Sequence, residues 1–453
     1  MSLFSLLGTA RDGMGAQSAA LSTTSSNVAN ASTPGYTKRV AVLETATADG
    51  GVRYAKTARN FDRFAYQAVV DQQSKLSAAS VRASALSEVE TAIAPQDNGI
   101  GDKAVALVAS WNTLAGSPED PSLRANVLDK ADQLAQTLSQ TQTQLSAQGE
   151  TLLGQAGDTL KQLNTDLQHI ADLNKQIATA QGTGADSNGL RDMRDKAIRD
   201  VGSAIGAKAI EGKDGRVTLY AAGAVLAEGD HASTLSMDLD PASGAMRFYA
   251  SGAAKNEITS AVTTGKLGGI REARDTDLAA TQKNLDQYAY DVASTFNQIH
   301  QTGYGLDGTT GRPLFAQPTQ VAGAAKLMAV DPSVKGQPRN VASAGSVAEL
   351  PGGNTVALKM ANLADAAAFG GATLADRFAN LAIDVGFRKS NADNEMSLRT
   401  DTLASSEMVN DSSSGVSLDD EMVNLSQYQR AFEANSKIMK TADELLETLM
   451  NIV

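Results

Sequence analysis

Three histidines, His169, His231 and His300, are the chain's whole stock of imidazole, and long stretches of sequence separate them. Proton transfer near neutral pH and zinc ligation most often start from that side chain. Here no His-Glu-x-x-His spacing puts two of them on one helix face, and no Gly-x-Ser-x-Gly elbow offers a serine nucleophile. His300, at a predicted helix end, is read as a packing or capping residue. Gly265-Lys266 is followed by Leu267, and no glycine stands five residues before Gly265, so no phosphate-cradling loop is formed. Asp307-Gly-Thr-Thr-Gly311 has one acidic residue where a calcium loop repeats several, which makes it a turn. Arg191-Asp192-Met-Arg194-Asp195 sets two carboxylates among two guanidiniums at helical spacing, the pattern of an ion-pair network between elements. With no cysteine, neither a thiolate metal site nor a disulfide framework is available. The chain offers no catalytic, cofactor-binding or metal-binding constellation, and no enzyme is expected.

Composition narrows the partners as well. The 453 residues carry a net charge of −12 with no Lys/Arg cluster, so no surface releases counterions from nucleic acid. No run approaches the ~20 apolar residues of a membrane span. Met1-Ser-Leu-Phe-Ser-Leu-Leu-Gly8 has a short apolar run and no basic residue ahead of it, which predicts no cleaved leader. Hydrophobic residues reach 42 % but aromatics only 4 %, with Trp111 the single tryptophan. Long, thin helical layers suit that mixture better than one thick core.

The elements that would position any function follow from spacing. Leu7, Met14, Leu21 and Val28 recur every seven residues, a thin seam on one helix face. Asn30-Ala-Ser-Thr-Pro34-Gly35-Tyr36 ends it in a turn. An extended stretch from Val40 to Tyr54 precedes a helix over 60–94, and a shorter helix lies around Trp111. Ser122 is placed to cap a very long helix to about Ala180, with Leu153, Ala156, Leu160, Leu163, Leu167, Ile170 and Ile177 along its seam. Short apolar runs broken by glycine predict a small antiparallel β unit over 205–262. Helix resumes near Leu267, residues 303–370 are mixed, and 372–410 are helical again. At the end, Leu425, Tyr428, Phe432, Asn435, Met439, Ala442, Leu446, Leu449 and Val453 alternate by three and four without a break.

The fold class is therefore mainly α: a long helical bundle with terminal coiled-coil helices and a small antiparallel β insert. The expected division is an N-terminal coil segment over 1–40, a helical body over 41–204 and 263–414 around the β unit of 205–262, and a C-terminal coil segment over 415–453. The two terminal stripes can pair with each other, with copies of themselves, with neighbours in a polymer, or with the body.

Three regions carry a family resemblance. Asn27-Val-Ala-Asn30-Ala-Ser-Thr-Pro34-Gly35-Tyr36 resembles the N-terminal signature of the flagellar axial family of rod, hook and hook-associated proteins. Leu418-Asp419-Asp420-Glu421, Asn424-Leu425, Gln429, Ala431-Phe432 and Ala434-Asn435-Ser436-Lys437 resemble its C-terminal signature. In the interior, Gly189-Leu-Arg191-Asp192-Met-Arg194-Asp195, Gly265-Lys-Leu-Gly-Gly269 and Asn297-Gln-Ile-His300 are similar to the hook-associated members.

That resemblance implies an extracellular structural subunit at the distal end of the hook, at the junction of hook and filament. It implies export by the flagellar type III apparatus with a dedicated chaperone, and a ring of copies touching the hook protein and the next hook-associated protein. It also implies that both terminal stripes, Leu7 to Val28 and Leu425 to Leu449, serve assembly and chaperone docking. A hook or distal-rod subunit is the alternative, because the Gln429-to-Lys437 block is shared with those proteins.

Overall fold

The computed structural model describes residues 3–46, 51–95, 97–251 and 255–450. Its first helix, α1 (Leu3–Ala29), leads through a turn into a hairpin, β1 (Arg39–Thr45) and β2 (Val52–Arg59). The body follows: α2 (Arg63–Ile93), α3 (Ile100–Gly116), α4 (Pro121–Thr183) and α5 (Asn188–Ile205). The β insert holds β3 (Lys208–Glu211), β4 (Val217–Ala221), β5 (Ala224–Glu228), β6 (His231–Ala232), β7 (Thr234–Leu239), β8 (Met246–Ser251) and β9 (Lys255–Glu257). Next come α6 (Gly265–Arg271), a π-helical stretch (Glu272–Leu278), α7 (Ala279–His300), α8 (Ala324–Leu327) and α9 (Thr355–Ala361). The chain closes with α10 (Leu374–Ser414) and α11 (Leu418–Met450). The mainly helical class expected from the sequence is what the chain adopts. Val453 and the side chain of Leu449 lie outside the described residues.

The 63-residue α4 is the spine. Asp120, not Ser122, caps it: its carboxylate accepts the Ser122 amide at 2.7 Å, and Pro121 occupies the first turn. Proline is at home there, where its missing N–H has no partner to lose. The expected seam is buried from Ala156 through Ile177, but Leu152 rather than Leu153 faces inward in the preceding turn. Burying each large aliphatic side chain contributes about 1.5–3 kcal/mol. Trp111, Leu107 and Leu114 of α3 and Phe296 of α7 are fully buried in the same core.

Two asparagines fasten the β insert to that spine. Asn174 Nδ2 donates to the Val217 and Gly229 carbonyls at 2.8 and 2.9 Å, while its Oδ1 accepts the Val217 amide. Asn164 clasps Leu235 in the same two-way fashion. Each holds one sheet, the four-stranded β3-β4-β5-β6 and the three-stranded β7-β8-β9.

Helix α6 presses on α2 through the glycine block. A Cβ at Gly269 would sit 2.4 Å from the Ala78 carbonyl oxygen, so only glycine permits this approach. Two turns on, buried Asp277 accepts Arg82 Nε at 2.7 Å and Arg388 Nη1 at 3.2 Å, tying α2 and α10 to the π-helical stretch.

Candidate assembly interface

Opposite ends of the chain meet. Helices α1 and α11 pack along each other. Asn27 Nδ2 donates to Glu421 Oε2 at 2.9 Å, and a Cβ at Gly13 would lie 3.0 Å from the Asn435 side chain. Moving from Asn27 back to Gly13 covers as many residues as moving from Glu421 on to Asn435, so the pair is antiparallel with matched rise.

On α11 the shielded face is the one the spacing picked out. Leu425, Tyr428, Phe432, Asn435, Met439 and Leu446 are half-buried and Ala442 is buried, all on one line. On α1 the line is shifted. Leu7, Met14, Leu21 and Val28 are half-buried, whereas the innermost residues are Ala10, Gly13, Ala16, Ala20, Thr23, Thr24 and Asn27. Small residues let the backbone come close, so larger partners on α11 and on the hairpin fill the space. A search for large apolar residues misses such a face.

Signature residues converge on the joint between this pair and the body. Asn27 uses both ends of its amide. Nδ2 also donates to the Arg39 carbonyl at 2.8 Å, and Oδ1 accepts the Arg39 amide and the Tyr36 hydroxyl, each at 2.9 Å. Asn30 Nδ2 donates to the Ser26 carbonyl at 2.9 Å and holds the last turn of α1. Pro34 is exposed, and Gly35 takes φ +84° to turn the chain toward the hairpin. Glu421 is 1 % exposed, held by Asn27 and by Lys38 Nζ at 3.0 Å. Its neighbours Leu418 and Asp419 are exposed in the first turn of α11, and Asn424 is half-buried. The carboxylates Asp419, Asp420 and Glu421 sit where the helix dipole favours negative charge. The joint is closed by the Lys38 amide donating to the Ser414 carbonyl at 2.9 Å.

From there the interior motif takes over. Asp192 accepts Arg39 Nη2 at 3.3 Å and pairs with Arg59 Nε at 2.9 Å. Arg59 continues to Asp195. Arg194, 2 % exposed, donates to the Gly215 carbonyl at 2.6 Å, and Arg191 reaches Glu211 at 2.6 Å. The Tyr66 hydroxyl donates to the Asp195 carbonyl. Burial pushes Asp192 above the usual carboxylate range against the pull of Arg59 and Arg39, and burial lowers the Arg194 guanidinium against Asp195 and Glu211. Such a network is costly to break at one partner, because a buried charge is left alone. It therefore acts as a rigid weld between hairpin, α5 and β3. Lys38, Arg39, Arg59 and Glu211 were not singled out from the sequence, although only Thr37 separates Lys38-Arg39 from the turn signature.

Other candidates resolve into structure. His300 is fully buried, its Nδ1 2.7 Å from the Arg312 carbonyl and its Nε2 accepting the Ala342 amide at 2.9 Å. That pattern fixes a neutral ring with the proton on Nδ1, and burial lowers its pKa to about 4. Asp307 accepts the Thr309 amide and pairs with Arg312 at 2.6 Å, the pairing that holds it at about 2. Among the described residues no group of acidic, histidine or cysteine side chains could hold a metal ion, and no helix is long and apolar enough to cross a membrane.

Comparison with known proteins names the family. Residues 86–315, just over half the chain, match the model described as the flagellar hook-associated protein FlgK helical domain. The chain belongs to this family. Its C-terminal residues 407–452 match the flagellar basal body rod FlgEFG protein C-terminal model, and residues 7–37 match the flagella basal body rod protein model. The flagellar hook-associated protein 1 of Salmonella typhimurium is 29 % identical over 327 residues, covering 69 % of this chain and 59 % of the relative. The chain thus spans less than two thirds of that relative's length. The same-named protein of Bacillus subtilis is 28 % identical over 505 residues, covering 99 % and 98 %. Among solved structures, the flagellar hook junction protein FlgK from Burkholderia pseudomallei superposes with a TM-score of 0.50 at 25 % identity, over 55 % of this chain and 46 % of that one.

Proposed function

We propose that the chain is a structural subunit of the bacterial flagellum that assembles at the distal end of the hook and forms the junction with the filament. One observation carries this reading: residues from both terminal signatures and from the interior motif form one continuous polar chain, Glu421–Asn27–Arg39–Asp192–Arg59–Asp195. A joint subunit must pass load between an inner coil and an outer body, and this chain of buried and partly buried bonds links the two. The subunit acts without catalysis.

Its partners are further copies of itself in a ring, the hook protein and the next hook-associated protein. Before assembly the type III export apparatus and its chaperone would handle it, with secretion to the cell exterior. Met422, Val423, Ile438 and Leu445 of α11 are exposed beside the α1 contact and suit chaperone docking. The match to a rod-type C-terminus supports a second reading, a hook or distal-rod subunit. The helical-domain match favours the junction.

Antibody labelling of isolated flagella by electron microscopy separates the two. A single narrow band where hook meets filament is expected. Label along the whole hook or below it would replace the junction reading with the alternative, and unlabelled flagella would end both.

A further inference from the structure

Two helices each keep one long face bare. On α10, opposite the side packed on α2, Ile383, Phe387, Leu398, Met408 and Val409 are all more than half exposed. Ser390, Asn391, Asn394 and Ser405 fill the positions between them at three-and-four spacing. The line holds one charge, Asp401, which makes no ion pair among the described residues. A helix apolar on two opposite faces is one that ends up covered on both. On α1, the side away from α11 and the hairpin shows Phe4, Arg11, Gly15, Ser18, Ser22, Ser25 and Ala29, again at three-and-four spacing and all exposed. Its one charge is Arg11, three-quarters exposed and resting on the adjacent Asp12 at 3.0 Å, a surface pair that a second partner can share, and a Cβ at Gly15 meets nothing within 4 Å.

The faces are complementary. Phe4 to Ala29 and Ile383 to Met408 span the same number of residues, ~38 Å of helix each. Run antiparallel with Arg11 facing Asp401, the register sets Phe4 on Met408, Ser18 on Asn394, Ser22 on Ser390, Ser25 on Phe387 and Ala29 on Ile383. Ser25 and Ala29 then take the bulky Phe387 and Ile383, small polar residues face each other in the middle, and Phe4 meets Met408 at the far end. A parallel register that joins the two charges leaves Ile383 and Phe387 uncovered.

One chain cannot satisfy this pairing with itself. The joint holds Lys38 against Ser414, and the helix from Ser414 back to Ile383 is ~46 Å long. Ala29 is nine residues from Lys38, a reach of at most ~32 Å.

We propose that the bare face of α10 receives α1 of a second copy of this chain. The proposal rests on the reading of the chain as a subunit that assembles with its own copies. The contact is heterologous, so each copy offers one face and accepts another, and repetition builds a ring or helical row rather than a closed dimer. A single helix pair buries well under the ~800 Å² per partner of a stable complex, so the contact forms in the assembly and not in dilute solution.

The absence of native cysteine allows a direct test. Flagella are isolated from cells carrying Ser18→Cys with Asn394→Cys, or, one turn along, Ser22→Cys with Ser390→Cys, and oxidised. Ser18→Cys with Lys161→Cys is the control, since Lys161 is exposed far along α4. Cross-linked products at two and three times the 47.0 kDa subunit mass are expected for both in-register pairs and not for the control. Arg11→Glu should lower incorporation at least tenfold, and Asp401→Arg in the same chain should restore it. Subunits present in flagella without either cross-link, or a control that links as readily, would overturn the α1–α10 contact and leave the junction reading standing. A wild-type chain missing from flagella would overturn both.

Discussion

Replacing Asn27 by alanine tests whether the two ends of the chain are welded or merely adjacent. The change removes the donor to Glu421, the two backbone bonds to Arg39 and the Tyr36 contact. A hydrogen bond to a buried charge contributes about 1.5–3 kcal/mol and each neutral one about 1 kcal/mol. Lys38 stays on Glu421 and water can reach part of the opened site, so the net loss is taken as about 3 kcal/mol, below the full sum of about 4.5–6 kcal/mol. Opening of the terminal pair then becomes roughly 160-fold more frequent, at 1.36 kcal/mol per tenfold. Tryptic cleavage at Arg430 and Lys437 in α11 reads this directly, because cleavage of a transiently opened segment follows its population. Combining Asn27→Ala with Glu421→Ala should expose a coupling of about 1.5 kcal/mol, since each change removes the same bond. A single mutant cleaved within threefold of wild type, or a double mutant whose rates simply multiply, would refute the weld.

Gly13→Leu drives a side chain into Asn435 and should loosen the same pair by about 1–3 kcal/mol, read by the same cleavage. Gly269→Ala meets the Ala78 backbone, which cannot give, and should destabilise the whole body by about 2–3 kcal/mol, read as a lower melting temperature. His300 titrates at about 4 when folded against ~6.5 unfolded, so the unfolded chain binds the extra proton between those values. Stability is full above pH 6.5 and falls by about 3 kcal/mol as pH drops to 4, a loss that His300→Gln should flatten. Trp111, 6.0 Å from that ring, reports the urea midpoint by fluorescence. Leu446→Asp puts a charge on the shielded face of α11 and should abolish incorporation into flagella while circular dichroism of the body is unchanged.

How far the sequence could be read depended on what each contact is made of. Where large apolar side chains do the packing, spacing alone located the element: the α11 stripe and the α4 seam were both visible as three-and-four alternation. The α1 line was misplaced because its contact is made by alanine, glycine and threonine, which carry little hydrophobic signal and act by letting backbones approach. The motif Arg191–Asp195 was recognisable as an ion-pair network, yet its partners Arg39, Arg59 and Glu211 come from other elements, and no local period reports a charge pair formed across the fold. Glu421 shows the limit most clearly. In sequence it is one of three acids opening a helix, equivalent by the dipole argument to Asp419 and Asp420. In the fold it alone turns inward, because Asn27 and Lys38 wait there, and that asymmetry makes it the residue through which one end of the chain holds the other.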